Sequence, residues 1–182
     1  MQRAYTLEAV VLKRKNLAEA DKLLTIFSEY KGKLIVIAKG IRKIHSRKAP
    51  HLELFNHVKV LISSGRTWDY LVEAETIENF TFLRSQIERI SQAFQLIEEI
   101  DRLCGERQVH KNIFHWLILA LRQLDDKNLQ DSAGVVEEFT LQILWDLGYL
   151  PHDKILMRDN LFNFLEEVME KSLKSRRLLV KI

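Results

Sequence analysis

The chain has 182 residues, of which 47% are apolar, and a formal net charge of only +3, which favours one compact unit or two small ones. The lone cysteine, Cys104, excludes an internal disulfide and offers no paired-cysteine pattern for a structural zinc, which suits a reducing cytoplasm. No signal peptide is expected, and the longest apolar run, Trp116–Leu121, is too short to cross a bilayer.

The first part of the chain, residues 1–80, is predicted to form short strands. Apolar residues alternate with polar ones in the first strand, and glycine-containing turns follow the second and the fourth. Gly32 is the expected positive-φ residue of the earlier turn. The predicted strands are Tyr5–Lys15, Lys22–Ser28, Lys33–Lys39, Leu52–Ile62 and Trp68–Asn79. Five strands match the oligonucleotide-binding (OB) barrel, although strands alone would also allow an open sheet.

The second part, residues 81–182, is predicted to be helical, because its apolar residues recur every three or four positions. The second of its helices is apolar nearly all round, which is typical of the buried centre of a bundle. The predicted helices are Phe82–Cys104, Asn112–Leu124, Ser132–Leu147 (stopped by Gly148) and Asn160–Ser175. The expected fold class is therefore α+β, with an N-terminal five-stranded OB-like β-barrel in residues 1–80 and an α-helical domain in residues 81–182.

The charges are distributed unevenly along the chain. Residues 1–80 hold 14 basic and 9 acidic side chains, and within residues 13–48 the contrast is 11 against 3. Such an asymmetry indicates a surface for a polyanion. The candidate nucleic-acid contacts are Lys13, Arg14 and Lys15 at the end of the first strand, Lys31 and Lys33 beside the glycine turn, and Lys39, Arg42, Lys43, Arg47 and Lys48 after the third strand.

The last of these groups has the clearest pattern, with five cations in ten residues and no acidic neighbour. Nucleic-acid contact is favoured there over an ordinary solvated surface. For Lys13, Arg14 and Lys15 both interpretations stand, because Glu19 and Asp21 follow closely.

Aromatic side chains on which bases stack are the second feature of single-strand binders. Tyr30, in a cationic turn, is the strongest candidate. Trp68 and Tyr70 share one face of the fifth strand with Val72, and burial in the barrel core is the commoner outcome for such a stripe. Phe27 and Phe55 are assigned to the core.

No catalytic, cofactor or metal site is predicted. Gly32-Lys33 and Ala38-Lys39-Gly40 lack the arc of a phosphate-binding loop, and the histidines fall at no metal-ligand spacing. His115 is expected on a helix surface or satisfied within the core. The acidic neighbours Glu98, Glu99 and Asp101 are interpreted as one solvated helix face.

Several strings resemble the RecO family of bacterial repair mediators. The most specific is Glu-Ala-Asp-Lys-Leu-Leu at residues 19–24, followed by Gly32-Lys33 and by Ala-Lys-Gly-Ile-Arg-Lys at residues 38–43. The second half is similar in outline, in Phe80-Thr81-Phe82-Leu83-Arg84, Glu98-Glu99-Ile100-Asp101-Arg102-Leu103 and Leu147-Gly148-Tyr149-Leu150-Pro151. The resemblance covers residues 3–151 and is strongest at residues 8–43.

The resemblance implies an N-terminal OB domain and a helical C-terminal domain. It also implies binding and annealing of single- and double-stranded DNA, partnership with RecR, and help in loading RecA onto DNA coated with single-stranded DNA-binding protein. Many members carry a four-cysteine zinc motif, which is not expected here. In the family, the single-stranded DNA-binding protein docks on a C-terminal region. The resemblance predicts that this region is longer than the stretch that follows Pro151.

A second hypothesis is a protein–protein adaptor that acts through its helical half, where residues 81–150 hold 11 acidic and 7 basic side chains. In that case the basic loops only aid solubility. A small hydrolase is the weakest alternative, because no nucleophile and base are brought together by the sequence.

Overall fold

The structure is a computed structural model that describes residues 4–169. Its strands are β1 (Ala4–Asn16), β2 (Lys22–Ser28), β3 (Gly32–Ala38), β4 (His57–Ser64) and β5 (Asp69–Glu78). Its helices are α1 (Ile87–Leu103), α2 (Lys111–Asp125), α3 (Ser132–Asp146) and α4 (Arg158–Val168). Two short 3₁₀ helices are Ala49–Leu52 and Leu83–Ser85.

The described residues divide into two compact units. The barrel unit contains the residues up to Asn79 together with the segment Gly105–Lys111, and the helical unit contains Phe80–Cys104 and the residues from Asn112 onward. The segment between α1 and α2 therefore belongs with the strands.

The five strands hydrogen-bond in the closed order β1-β2-β3-β5-β4, so that each has two neighbours. All neighbours are antiparallel except β3 and β5, which pair in parallel at Val36–Asp69 and Ile37–Tyr70. Strand number and order fit an OB-like unit. The predicted α+β class, with a five-stranded N-terminal unit followed by helices, is confirmed.

The barrel core is built from the alternating residues that the sequence predicted for β1. Leu7, Ala9 and Val11 pack with apolar side chains of the other four strands. Ile41 and Leu52 come from the connection between β3 and β4 and join the same cluster, which fastens that long connection to the barrel. Burial of this apolar cluster supplies the main driving force for folding of the unit.

The fourth strand was predicted to begin at Leu52, and this was wrong. Leu52 ends a 3₁₀ helix, and Phe55 then adopts a left-handed conformation with φ of 70°. The N–H of Phe55 donates to the carbonyl of Val11 (3.0 Å), and the N–H of Val11 donates to the carbonyl of Asn56 (3.1 Å). These bonds hold the turn, and β4 starts only at His57. Phe55 is buried as expected, and so is Phe27.

The predicted burial of Trp68, Tyr70 and Val72 was also wrong. Trp68 and Val72 are each 44% exposed, and Tyr70 is half-buried. Leu71 points into the core instead and is 2% exposed. Pairing of β5 with β4 sets which alternate residues face inward, and the apolar character of the stripe did not reveal it.

The strand and helix boundaries fit the sequence best where a glycine fixes them. Gly32 has φ of 64° and Gly148 has φ of 75°, so the predicted turn before β3 and the stop after α3 are confirmed. The first helix begins at Ile87 rather than Phe82, because a 3₁₀ turn precedes it. Of the predicted fourth helix, the residues after Met169 lie outside the described part of the chain.

Two further expectations about the helices were wrong. The second helix is not buried all round: His115 is exposed and Leu119 is 43% exposed, on the side opposite Leu117 and Leu121. Glu99 does not lie on a solvated face, since it is fully buried. No helix of residues 4–169 is long and apolar enough to cross a membrane.

Candidate nucleic-acid interface

The basic loop, residues 39–48, follows β3 and is fastened to the turn before β2. The N–H of Gly40 donates to Oδ1 of Asp21 (2.8 Å), and the N–H of Arg42 donates to the carbonyl of Ala20 (3.0 Å). Nη1 of Arg42 also donates to the carbonyl of Ala18 (3.2 Å). Because Ile41 is buried in the core, the loop backbone is fixed and its charged residues are held outside.

The exposed cations of this loop are Lys39, Arg42, Lys43 and Arg47, which we call the loop cations. Within residues 4–169, none of them forms an ion pair with a carboxylate at 4.0 Å or less. Nζ of Lys39 lies 4.6 Å from the centroid of the Tyr70 ring, a cation–π contact that leaves its charge unneutralised. The loop therefore carries four positive charges with no acidic counterpart among the described residues.

Lys48 differs from the loop cations because it is half-buried. Its Nζ donates to the carbonyl of Leu71 in β5 (3.2 Å), and burial lowers the pKa of the Lys48 ammonium, while the charge of Asp21 opposes that effect. This bond ties the end of the basic loop to the strand beside it. Lys48 is thereby placed at one side of a cleft of about 490 Å³ between the loop and β5.

The end of β1 brings further cations next to the loop. Lys13 and Lys15 are exposed, whereas Arg14 is half-buried and paired with the carboxylate of Glu53. Burial, followed by the positive charges of Arg14 and Arg42, lowers the pKa of the Lys22 ammonium. Lys22, which the sequence analysis did not name, thus lies in the same positive field.

A second group of candidate contacts lies in the turn between β2 and β3, which we call the glycine turn because it leads into Gly32. Tyr30 is 60% exposed, and Nζ of Lys111 lies 4.6 Å from its ring centroid. A hydrogen bond with Glu29 and the charge of that residue raise the pKa of the Tyr30 hydroxyl. Lys31 is exposed, with Nζ 5.6 Å from the ring of Tyr5.

Lys33 does not share this exposure, since only 9% of its surface is accessible. Its carbonyl accepts from the N–H of Arg107 (2.8 Å), and the residue forms a parallel bridge with Glu106. Lys33 therefore pairs the strand with the segment Gly105–Lys111. That segment also supplies Lys111 to the glycine turn, and no periodicity in the sequence marks it as part of the barrel unit.

The predicted contacts thus form two groups rather than one. The end of β1 and the basic loop lie at the start of β2, and the glycine turn lies after its last residue, Ser28. The six steps from Lys22 to Ser28 span roughly 20 Å in an extended strand. A single bound strand must cover that distance to touch both groups.

Histidine, cysteine and carboxylate side chains offer no metal site in the part of the chain that the structure describes, where no group of three or more of them is suitably placed. Cys104 is a buried free thiol.

Comparisons with known proteins identify relatives of the chain. Residues 1–80 match the family model described as "Recombination protein O N terminal", and residues 84–153 match "Recombination protein O C terminal". Together the two matches include all strands and the first three helices.

Curated proteins with the name "DNA repair protein RecO" are similar over most of the chain. The protein of Roseiflexus sp. is 36% identical over 149 residues, which is 82% of this chain and 52% of the relative. The protein of Pelotomaculum thermopropionicum is 32% identical over 81% of this chain and 56% of the relative, and that of Shouchella clausii is 35% identical over 79% and 56%. The chain thus spans about half the length of these relatives.

Proposed function

The chain belongs to the RecO family of DNA repair and recombination proteins, and on this premise we propose that its barrel unit binds DNA without catalysing a reaction. The observation that carries the proposal is the basic loop, whose four loop cations have no carboxylate partner within residues 4–169. Cations without a carboxylate partner, held on a fixed backbone, are suited to bind the regularly spaced phosphates of a DNA strand. The release of counterions condensed on the DNA drives such binding.

We propose that annealing follows from this mode of binding. Phosphate contacts carry no sequence information, so the loop cations can hold either of two complementary strands by its backbone. Holding both on one protein raises their local concentration and favours pairing. The exposed Lys13 and Lys15 extend the positive surface beside the loop and would serve the second strand.

The partners and setting are proposed from the family. We propose that the protein acts with RecR to assist RecA loading on DNA covered by single-stranded DNA-binding protein, in the cytoplasm at the nucleoid. The helical unit would then serve as scaffold and docking surface. Single- and double-stranded DNA are both proposed ligands of the barrel unit.

Fluorescence anisotropy of a labelled single-stranded oligonucleotide, titrated at several salt concentrations, tests the proposal. The variant Lys43→Glu/Arg47→Glu changes two residues whose side chains form no hydrogen bond or ion pair within residues 4–169. The control Lys127→Glu/Lys154→Glu changes the net charge equally on exposed positions of the helical unit. For single strands, each lost phosphate contact should reduce the slope of log affinity against log salt by about 0.7.

We expect the loop variant to lose affinity and salt dependence together, and the control to keep both. Equal effects of the two variants would show that only net charge matters, and would remove the loop as the site. Weak binding by the wild type, unchanged in the loop variant, would favour the adaptor hypothesis, and binding of RecR to the helical unit would be measured next.

A further inference from the structure

A cleft of about 490 Å³ lies between the basic loop and the outer side of β5, a volume in the range of small-ligand sites. Lys43, Arg47 and Lys48 line it from the loop. Val72, Glu73 and Ala74 line it from the strand. One wall is therefore cationic, and the other combines the exposed apolar side chain of Val72 with a carboxylate, while Ala74 packs against the barrel core.

The strand wall exists because β5 contains a β-bulge. Leu61 of β4 pairs with Glu73 and the next residue, Ile62, pairs with Leu71, so that Val72 is the extra residue. Val72 and Glu73 are consecutive and both exposed, which regular alternation would not allow. The bulge thus places an apolar side chain and a carboxylate side by side in the cleft.

The charges of the two walls do not neutralise each other. The side chain of Glu73 has no hydrogen bond and no ion pair among the described residues, and the same is true of the side chains of Lys43 and Arg47. Carboxylate and cations line one cleft, yet stay more than 4.0 Å apart. A ligand that fits this pattern carries an anionic group at one end and a hydrogen-bond donor at the other.

His51 also lines the cleft, and β5 fixes the orientation of its ring. The backbone N–H of Thr76 donates to Nδ1 of His51 (3.2 Å), so Nδ1 is an acceptor and the ring proton is on Nε2. The Thr76 hydroxyl lies 2.9 Å from the same Nδ1. The ring is held by β5, and Lys48 is held by Leu71, so the polar groups of the loop wall are positioned before any ligand arrives.

We propose that this cleft binds one unpaired nucleotide of a DNA single strand. The base lies against Val72, its exocyclic amino group donates to Glu73, and its phosphate lies at Lys43 and Arg47. The ligand class is a nucleotide whose base carries an exocyclic amine, which includes cytosine and excludes thymine. In a duplex that amine is paired and stacked, so the cleft favours single strands. The inference rests on the proposed DNA binding and deepens it.

The experiment compares three single-stranded oligonucleotides of equal length: oligo(dC), oligo(dT) and an abasic strand with the same number of phosphates. Wild type should bind oligo(dC) about tenfold more tightly than the other two, the effect of one good hydrogen-bonded base contact. Glu73→Ala should abolish this difference. The matched control Glu75→Ala removes the same charge from an exposed residue of the same strand and should preserve it.

Removing the apolar contact with Val72→Ser, at an exposed position of the cleft, should lower affinity for oligo(dC) toward that for the abasic strand, while the salt dependence stays as in wild type. Equal binding of all three strands by wild type would overturn the cleft proposal and leave phosphate binding intact. Failure to bind any strand would overturn the proposed function itself.

A further titration distinguishes a free nucleotide from a nucleotide within a strand. Deoxycytidine monophosphate is added to the wild type and its binding is followed by NMR. Binding at least a hundredfold weaker than that of oligo(dC) is expected, because the strand adds phosphate contacts outside the cleft. Comparable affinities would mean that the cleft serves a free nucleotide, and would overturn the proposal for DNA.

Discussion

Thr140 in α3 holds its hydroxyl oxygen 3.0 Å from one carboxyl oxygen of Glu99 in α1 and 3.1 Å from the other. The same hydroxyl lies 2.8 Å from the carbonyl of Val136, so its single proton goes to that carbonyl when Glu99 is protonated and to the carboxylate when Glu99 is ionised. Nε2 of Gln95 donates to Oε1 of Glu99 (3.1 Å). A protonated carboxyl satisfies both neighbours at once, since it accepts from Gln95 and donates to Thr140.

Burial raises the pKa of Glu99 to about 8, with a further rise from Glu98, while the bonds with Gln95 and Thr140 oppose it. Between the ordinary value of 4.5 and about 8, the folded chain holds a proton that the unfolded chain releases. The free energy of unfolding should therefore fall as pH rises through this window. Glu99→Gln supplies a neutral isostere, so it should remove that fall and stabilise the protein at pH 8 by a few kcal/mol.

Urea unfolding of wild type and Glu99→Gln, at pH 5 and at pH 8, measures this difference. Glu138→Gln, an exposed position on α3, is the control for loss of a carboxylate charge. If the gap between wild type and Glu99→Gln is the same at both pH values, Glu99 does not titrate in the expected window.

Comparing the free energy of unfolding of Gly32→Ala with that of Gly148→Ala separates the cost of a positive φ from the cost of a steric clash. Both glycines have positive φ, which costs alanine about 1 kcal/mol. A Cβ on Gly148 would meet nothing within 4 Å, but a Cβ on Gly32 would lie 1.8 Å from the carbonyl oxygen of Gln108. Gly32→Ala should cost about 2 to 4 kcal/mol in total, because the segment around Gln108 must move away.

Hydrogen exchange at the Arg107 amide, which donates to Lys33, reports that movement directly. Faster exchange in Gly32→Ala is expected, with Gly148→Ala unchanged at this amide. Equal losses of unfolding free energy in the two variants would mean that the contact with Gln108 is not maintained in solution.

Tyr30→Ala should weaken binding only of long single strands. The glycine turn lies one strand length, roughly 20 Å, from the basic loop, so an oligonucleotide of about three nucleotides that binds the loop does not reach it. For a strand of about 20 residues, loss of the Tyr30 ring should reduce affinity about fivefold or more, the effect of one stacked base. The control Tyr149→Ala removes an aromatic ring of similar exposure, 46%, from the helical unit.

Anisotropy titrations of Tyr30→Ala with the short and the long oligonucleotide show whether the glycine turn contacts DNA separately from the basic loop. A loss of affinity for both lengths would place Tyr30 within reach of the loop. No loss for either would remove the glycine turn from the interface.

The fold was largely predictable because its pattern is local. The alternation in β1, the glycines at the start of β3 and after α3, and the helical period after residue 82 all arise from neighbours within a few positions. The basic loop was recognisable for the same reason, since all its cations lie in ten consecutive residues. Lys22 and Lys111 were missed because each is a single cation whose neighbours come from elsewhere in the chain.

The errors arose where distant residues decide the structure. Glu99 was predicted to lie on a solvated face because Glu98 and Asp101 are close to it in sequence. Its hydrogen-bond partner, Thr140, lies 41 positions away. The outward position of Val72 depends on a bulge opposite β4, which the composition of β5 does not reveal. Contacts across the sheet and between helices decide which side chains are exposed. They therefore limited the prediction of the site more than the prediction of the strands and helices.

The segment Gly105–Lys111 has a consequence for synthesis on the ribosome. When β5 ends at Glu78 the strands are complete, but the Lys33 carbonyl and the buried Asp69 carboxylate still lack Arg107, which bonds to both at 2.8 Å. At usual elongation rates Arg107 follows roughly 2 to 6 s later. Hairpins form in microseconds, so the nascent barrel must persist for that interval without its last two bonds. The two bonds of Arg107 are therefore added to strands that are already complete, at a time set by translation.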